Sequence, residues 1–139
     1  MATNTAGSAA REIHGLQAVH TFRKTVDYNT TGIGTADTVP VGIIPAGAFI
    51  TDVKVKIVTA FNAATTNVLT VGSNASSNNN IVAAADVDET ATGTTSVSTG
   101  WGLAFAADTT IYARYTQSGT AATTGQATIV ISYVPNNDG

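Results

Sequence analysis

Phe49-Ile50-Thr51-Asp52-Val53-Lys54-Val55-Lys56-Ile57-Val58-Thr59-Ala60-Phe61 carries the clearest structural signal in the chain. The odd positions Phe49, Val53, Val55, Ile57 and Phe61 are apolar, and Asp52, Lys54 and Lys56 fall between them. Successive side chains of a strand point to opposite faces, so this period of two predicts a half-buried antiparallel strand with its charged side in water. The preceding Ile44-Pro45-Ala46-Gly47-Ala48 predicts a turn, because Pro45 presets φ and Gly47 tolerates a positive φ.

The same period recurs on both sides of this segment. From Ala18 to Tyr28 the even positions are Ala18, His20, Phe22, Lys24, Val26 and Tyr28, a first strand interrupted only by Lys24. Thr38 to Ile44 predicts a second, with Pro40 favouring a sheet edge because it has no N–H for an inner ladder. Asn67 to Val71 predicts a short strand after a turn at Asn62 to Thr66, and the polar run Gly72 to Asn80 predicts a surface loop. Ile81 to Ala85 predicts another short strand, and Asp86 to Thr95 an acidic, then Gly- and Thr-rich, connection. Thr109 to Thr116 and Gln126 to Val134 alternate cleanly and predict a hairpin, joined by Gln117 to Gly125, a loop long enough to project as a contact loop.

Helix signals are nearly absent, so the expected class is all-β, and strands near every ten residues have the spacing of a jelly roll or a related sandwich. A chain of 139 residues suits one domain with one core. Residues 1–15 are small, polar and aperiodic and predict a flexible N-terminal arm, with the β-sandwich domain spanning 16–139.

Charge is the unusual quantity. Charged residues make up 11% of the chain and the net charge is −3, against about 25% charged residues in ordinary soluble domains. The surface must therefore be built largely of Thr, Ser, Asn, Gly and Ala. It offers no basic footprint for nucleic acid and no polybasic stripe for a membrane, so neither partner is expected. Small uncharged groups suit a surface that other protein covers, because buried unpaired charges cost several kcal/mol each. A generic Thr-rich β surface would have the same composition. The absence of cysteine excludes disulfides and thiolate metal sites. The first ten residues have neither a basic flank nor an apolar core, and no run approaches the ~18 apolar residues of a membrane span. A soluble protein made in the cytoplasm without an export signal is expected.

No constellation predicts catalysis. The two histidines, His14 and His20, lie six positions apart in the arm and the first strand, not at the i, i+2 spacing that would place a metal pair on one strand face. Asp86, Asp88 and Glu89 resemble half of a calcium loop without its glycine or its bidentate carboxylate, and a solvated acidic turn is expected there. Gly32-Ile33-Gly34 precedes no helix that could hold a phosphate. Asn29-Thr30-Thr31 and Asn74-Ala75-Ser76 match the glycosylation pattern by chance in an Asn- and Thr-rich chain. The expectation is no enzyme, no cofactor and no metal. Tyr115 and Tyr133 share a register with aliphatic residues and predict packing; Trp101, flanked by Gly100 and Gly102, is the one candidate for an exposed anchor, although a core position is the commoner outcome for such a residue.

One resemblance rests on particular residues. Val41-Gly42-Ile43-Ile44-Pro45-Ala46-Gly47-Ala48-Phe49-Ile50, the strand from Asp52 to Ile57, Ala60-Phe61-Asn62, Leu69-Thr70-Val71-Gly72 and the closing Gly125 to Tyr133 together resemble the layout of small head-decoration, or cement, proteins of tailed bacteriophages. The likeness runs from about residue 38 to 134. It implies a jelly-roll-like antiparallel sandwich that forms a homotrimer on the outer surface of the virion, joins neighbouring copies of the major capsid protein and does no chemistry. Under that resemblance the basic side chains early in the chain, Arg11, His14, Arg23 and Lys24, are candidates for capsid contact. A receptor- or carbohydrate-binding module of a phage fibre or tail tip has a related layout, and would use Trp101 with Gln117, Thr120 and Thr124 of the long loop.

Overall fold

The computed structural model describes residues 19–30 and 38–136. The expected arm at residues 1–15, with Arg11 and His14, and the Gly32-Ile33-Gly34 stretch lie outside the described residues. Among the described residues, seven strands run in chain order: β1 (His20–Asp27), β2 (Val39–Ile44), β3 (Phe49–Thr59), β4 (Thr66–Gly72), β5 (Gly93–Ser96), β6 (Thr109–Ser118) and β7 (Gln126–Val134). They form two antiparallel sheets, one in the order β1-β7-β3-β5 and one in the order β2-β6-β4. The chain is an all-β sandwich, as its period-two runs predict.

Each successive strand lies in the other sheet. This corrects the expected hairpin: β7 has the predicted range and β6 runs two residues further, to Ser118, but β6 pairs with β2 and β4 while β7 pairs with β1 and β3. Both strands are central, and residues 119–125 of the predicted Gln117 to Gly125 loop form the crossing between the layers. Ile81 to Ala85 is also corrected: the segment makes one antiparallel bridge, Val71↔Val82, along the outer edge of β4. A four-residue strand, β5, appears inside and just beyond the stretch read as a connection.

The core fills the space between the layers. Val53, Val55 and Ile57 of β3 and Ala127, Ile129 and Ile131 of β7 face Leu69 and Val71 of β4 and Ile111, Ala113 and Tyr115 of β6, all nearly fully buried. Each large apolar side chain placed there contributes roughly 1.5–3 kcal/mol from removal of its surface from water. Phe49 is an exception to the predicted register. The β3–β7 ladder slips between Ile50 and Asp52, so the inserted residue flips the alternation, Ile50 turns inward and Phe49 is left 45% exposed. The predicted turn is present: Gly47 has φ 78°, and Ala48 N–H donates to Pro45 O at 3.1 Å.

Glycine closes the sandwich at two places. At one side Phe22 of β1 lies over Gly42 of β2, where a Cβ would come within 2.8 Å of the ring. At one end Phe61 packs on Gly125, whose Cβ would meet the ring at 2.2 Å and whose φ is +147°. The Phe61 ring also lies 4.5 Å from that of Tyr115, whose hydroxyl donates to Asn67 Oδ1 at 2.7 Å.

Strand edges are blunted in different ways. β2 is an edge strand, carries Pro40 as expected, and has a register shift between Pro40 and Gly42. β4 is covered by Val82, β5 is only four residues long, and the edge strand β1 places Lys24 on its core-facing side opposite Ile129. Such features oppose edge-to-edge pairing with another chain.

Candidate interaction surface

The middle of the outer face of the four-stranded sheet is ordered by its ladders into three rows, with Val134 and Phe49 beyond one end and Asp27 and Gln126 beyond the other. Thr21, Ser132 and Asp52 form the first, Arg23, Val130, Lys54 and Ser96 the second, and Thr25, Thr128, Lys56 and Thr94 the third. Hydroxyl pairs tie β1 to β7: Thr21 Oγ1 and Ser132 Oγ are 3.0 Å apart, as are the two threonine oxygens of Thr25 and Thr128. Lys54 Nζ donates to Ser96 Oγ at 2.9 Å and lies 3.3 Å from Asp52 Oδ2. That exposed ion pair contributes at most about 1 kcal/mol. Arg23 and Lys56 are exposed and have no hydrogen-bond or ion-pair partner among the described residues.

The outer face of the three-stranded sheet is different. The Gly72 to Asn80 loop folds back over it. Asn78, expected on the surface, is 4% exposed; its side-chain amide donates to Tyr112 O at 3.0 Å and its Oδ1 accepts from Thr70 Oγ1 at 3.3 Å. Arg114 Nη2 donates to Ala75 O in the same loop, and Arg114 Nε is buried without a partner. Gly72 admits this return, since a Cβ there would lie 2.8 Å from both Asn79 N and Asn80 Oδ1.

The acidic segment is a set of structural clasps. Asp86 Oδ2 accepts from Ala83 N at 2.8 Å and from Thr99 Oγ1 at 2.6 Å. Asp88 Oδ1 accepts from Thr90 Oγ1 at 2.6 Å and Thr90 N at 3.0 Å, and these bonds, the side-chain one first, hold its carboxyl below its ordinary value. Glu89 corrects the expected solvated turn. It is 4% exposed, its Oε1 accepts from Leu69 N at 2.7 Å, and burial pushes its carboxyl above the ordinary value. Tyr115 is likewise raised, by burial first and then by the nearby Glu89 charge.

The sequence-predicted contact residues do not form one site. Arg23 and Lys24 are neighbours in β1 and therefore face opposite ways, Arg23 out and Lys24 toward the core side. His20 stacks on Tyr133, with ring centroids 5.6 Å apart. Trp101 is 50% exposed and sits beside the start of β3, where Gly102 N donates to Ile50 O at 2.8 Å. The predicted Gln117 to Gly125 loop sits at the far end of β3. There Gln117 Oε1 accepts from Ala122 N at 2.8 Å, Thr120 O accepts from Ala64 N at 3.0 Å, and Thr124 Oγ1 donates to Ala60 O at 3.0 Å. The eleven residues of β3 separate Trp101 from that loop by roughly 30 Å, and the loop is pinned rather than projecting. Lys54 and Lys56 read as outward from sequence, but their grouping with Arg23 depends on β7 lying between β1 and β3, which the expected hairpin concealed.

No family model matches the chain, and no curated protein matches it in sequence. Solved structures do match. The same fold occurs in bacteriophage capsids. A chain of the cyanophage Pam1 capsid asymmetric unit superposes with a TM-score of 0.66 at 21% identity, covering 84% of this chain and 84% of that one. One from the acid-stable capsid of Helicobacter pylori bacteriophage KHP30 gives 0.61 at 13% identity, over 86% and 89% of the two chains. One from the capsid of Ralstonia phage GP4 gives 0.57 at 16% identity, over 86% and 84%. At these identities the likeness is one of fold.

Proposed function

We propose that this chain is a structural virion protein that decorates the outside of a tailed-phage head, binding the major capsid protein as a homotrimer and stabilising the assembled shell without chemistry of its own. The observation that carries the reading is the fold shared with chains of three phage capsid structures over 84–86% of this chain. The alternation of every strand between two sheets, with Ile81-Val82 standing where a fourth member of the smaller sheet would lie, supports the jelly-roll-like description. Blunted edges favour association through sheet faces, and the low charge content leaves little to desolvate there. Asp86, Asp88 and Glu89 are each engaged in clasps, which supports a binding rather than a catalytic role. Closed cyclic symmetry is the common outcome for homo-oligomers.

A ligand that binds only the assembled head stabilises it by about 2.7 kcal/mol per site at a hundredfold excess over Kd. Heads prepared without this chain are expected to assemble but to release DNA at lower temperature, and added protein is expected to restore resistance with no nucleotide or metal. Stripped heads as robust as complete ones would contradict the proposal.

A further inference from the structure

We infer that the outer face of the β1-β7-β3-β5 sheet docks onto an acidic protein surface, which, on the function proposed above, is the surface of the capsid shell. The face carries Arg23, Lys54 and Lys56, three of only six lysines and arginines in a chain of net charge −3. The face also carries two carboxylates: Asp52 is matched to Lys54, and Asp27, at the end of β1, accepts from Gln126 Nε2 at 2.8 Å, so among the described residues neither pairs with Arg23 or Lys56. Adjacent strands are about 4.8 Å apart and same-face residues of one strand about 7 Å apart, so Lys54 and Lys56 lie within about one Debye length of each other at physiological salt, with Arg23, two strands away, about 10–12 Å from them. They repel one another in the free protein, and an acidic partner converts that repulsion into attraction.

The rest of the face favours docking. Thr21, Thr25, Thr128 and Ser132 are already paired across the β1–β7 ladder, so short side chains with little rotamer freedom need no further ordering on contact. Val130 lies at the centre of the middle row, between Arg23 and Lys54. Nucleic acid fits less well. A duplex binder typically makes six to ten phosphate contacts, single strands are held by stacking on successive aromatic rings, and this face has three cations, two carboxylates and one ring, Phe49, at its end beside Val134. Charge on such a face acts mainly on orientation, association rate and salt dependence.

The test is binding of purified full-length protein to heads stripped of it, at about 50 mM and about 500 mM salt. The triple variant R23E/K54E/K56E is expected to lose at least tenfold in affinity at low salt, with the gap narrowing at high salt, while Lys24→Gln, on the opposite side of β1, binds as the wild type does. Should the triple variant misfold, the neutral pair K54Q/K56Q and acetylation of wild-type lysines on the particle serve instead; Lys54 and Lys56 are expected to become unreactive on heads. Wild-type binding by a folded triple variant, or unchanged acetylation, would overturn the docking face while leaving the decoration reading in place. Tight binding of wild type to a short DNA duplex, lost in the triple variant, would replace the acidic protein with nucleic acid. Failure of the wild type to bind heads at all would overturn the decoration reading and this inference together.

Discussion

The two sheets treat their outer faces in opposite ways. The three-stranded sheet is covered over β4 and β6 by its own Gly72 to Asn80 loop, with Arg114 of that face spent on Ala75 O, while Ile43 of β2 stays exposed. The four-stranded sheet keeps a flat field of hydroxyls with Arg23 and Lys56 unengaged among the described residues. A chain with so few charges that uses one cation to fasten a loop and leaves others unmatched has an inside and an outside to its binding role. The covered face serves the fold, and the open face is free to serve a partner.

The contrast breaks most readily at the covered face. Asn78→Ala removes an amide that bonds Tyr112 O and a carbonyl that receives Thr70, and it strands buried backbone groups. A loss of about 2–3 kcal/mol in denaturant unfolding is expected, with faster amide exchange confined to the loop and β4–β6.

Glu89 sharpens the comparison from within. Glu89→Ala leaves Leu69 N–H without its acceptor and is expected to cost about 1–3 kcal/mol. Glu89→Gln keeps an acceptor and has a different signature. Because burial raises the folded carboxyl above its ordinary value, the folded state holds the proton more tightly than the unfolded chain. The stability this gives is fully present below the unfolded value and is lost as pH rises through the folded one. Melting curves across that window are expected to fall with rising pH in the wild type and to be flatter in E89Q; a wild-type curve that rises instead would contradict the buried-carboxylate account.

Arg114→Gln is expected to cost about 1 kcal/mol, since it relieves a buried unpartnered Nε while losing the bond to Ala75 O. The smallest effect belongs to the open face. Lys56→Gln and Arg23→Gln are expected to change stability by no more than about 0.5 kcal/mol, measured by the same unfolding curves. A larger loss would mean that the open face holds the fold together, and the division between the faces would disappear.

Much of the fold was legible because burial imposes a period of two. The spans of β3, β6 and β7 and the edge position of Pro40 all follow from alternation and from the missing proline N–H. Pairing was not legible, because alternation tells which way a side chain points and says nothing about which strand lies beside it. Residues Thr109 to Val134 read as a hairpin by proximity in sequence, yet a seven-residue crossing is as able to change layers as to turn back. Phe49 was misplaced by one inserted residue at Thr51, which alternation cannot anticipate. Glu89 and Asn78 sit in polar runs whose composition predicts solvent, and only the folded geometry shows that each supplies a hydrogen bond that a strand or loop would otherwise lack. The open face was half legible: Lys54 and Lys56 were seen pointing outward, but Arg23 joins them only once β7 is placed between.

Cryo-electron microscopy of the particle that carries this chain tests the central claim most directly. The account predicts the sandwich on the outer surface of the head, with Arg23, Lys54 and Lys56 buried against acidic residues of the shell and the loop-covered sheet turned away from it. Density at a fibre or tail tip, or a copy on the head that presents the covered sheet to the shell and leaves the three cations in solvent, would contradict it.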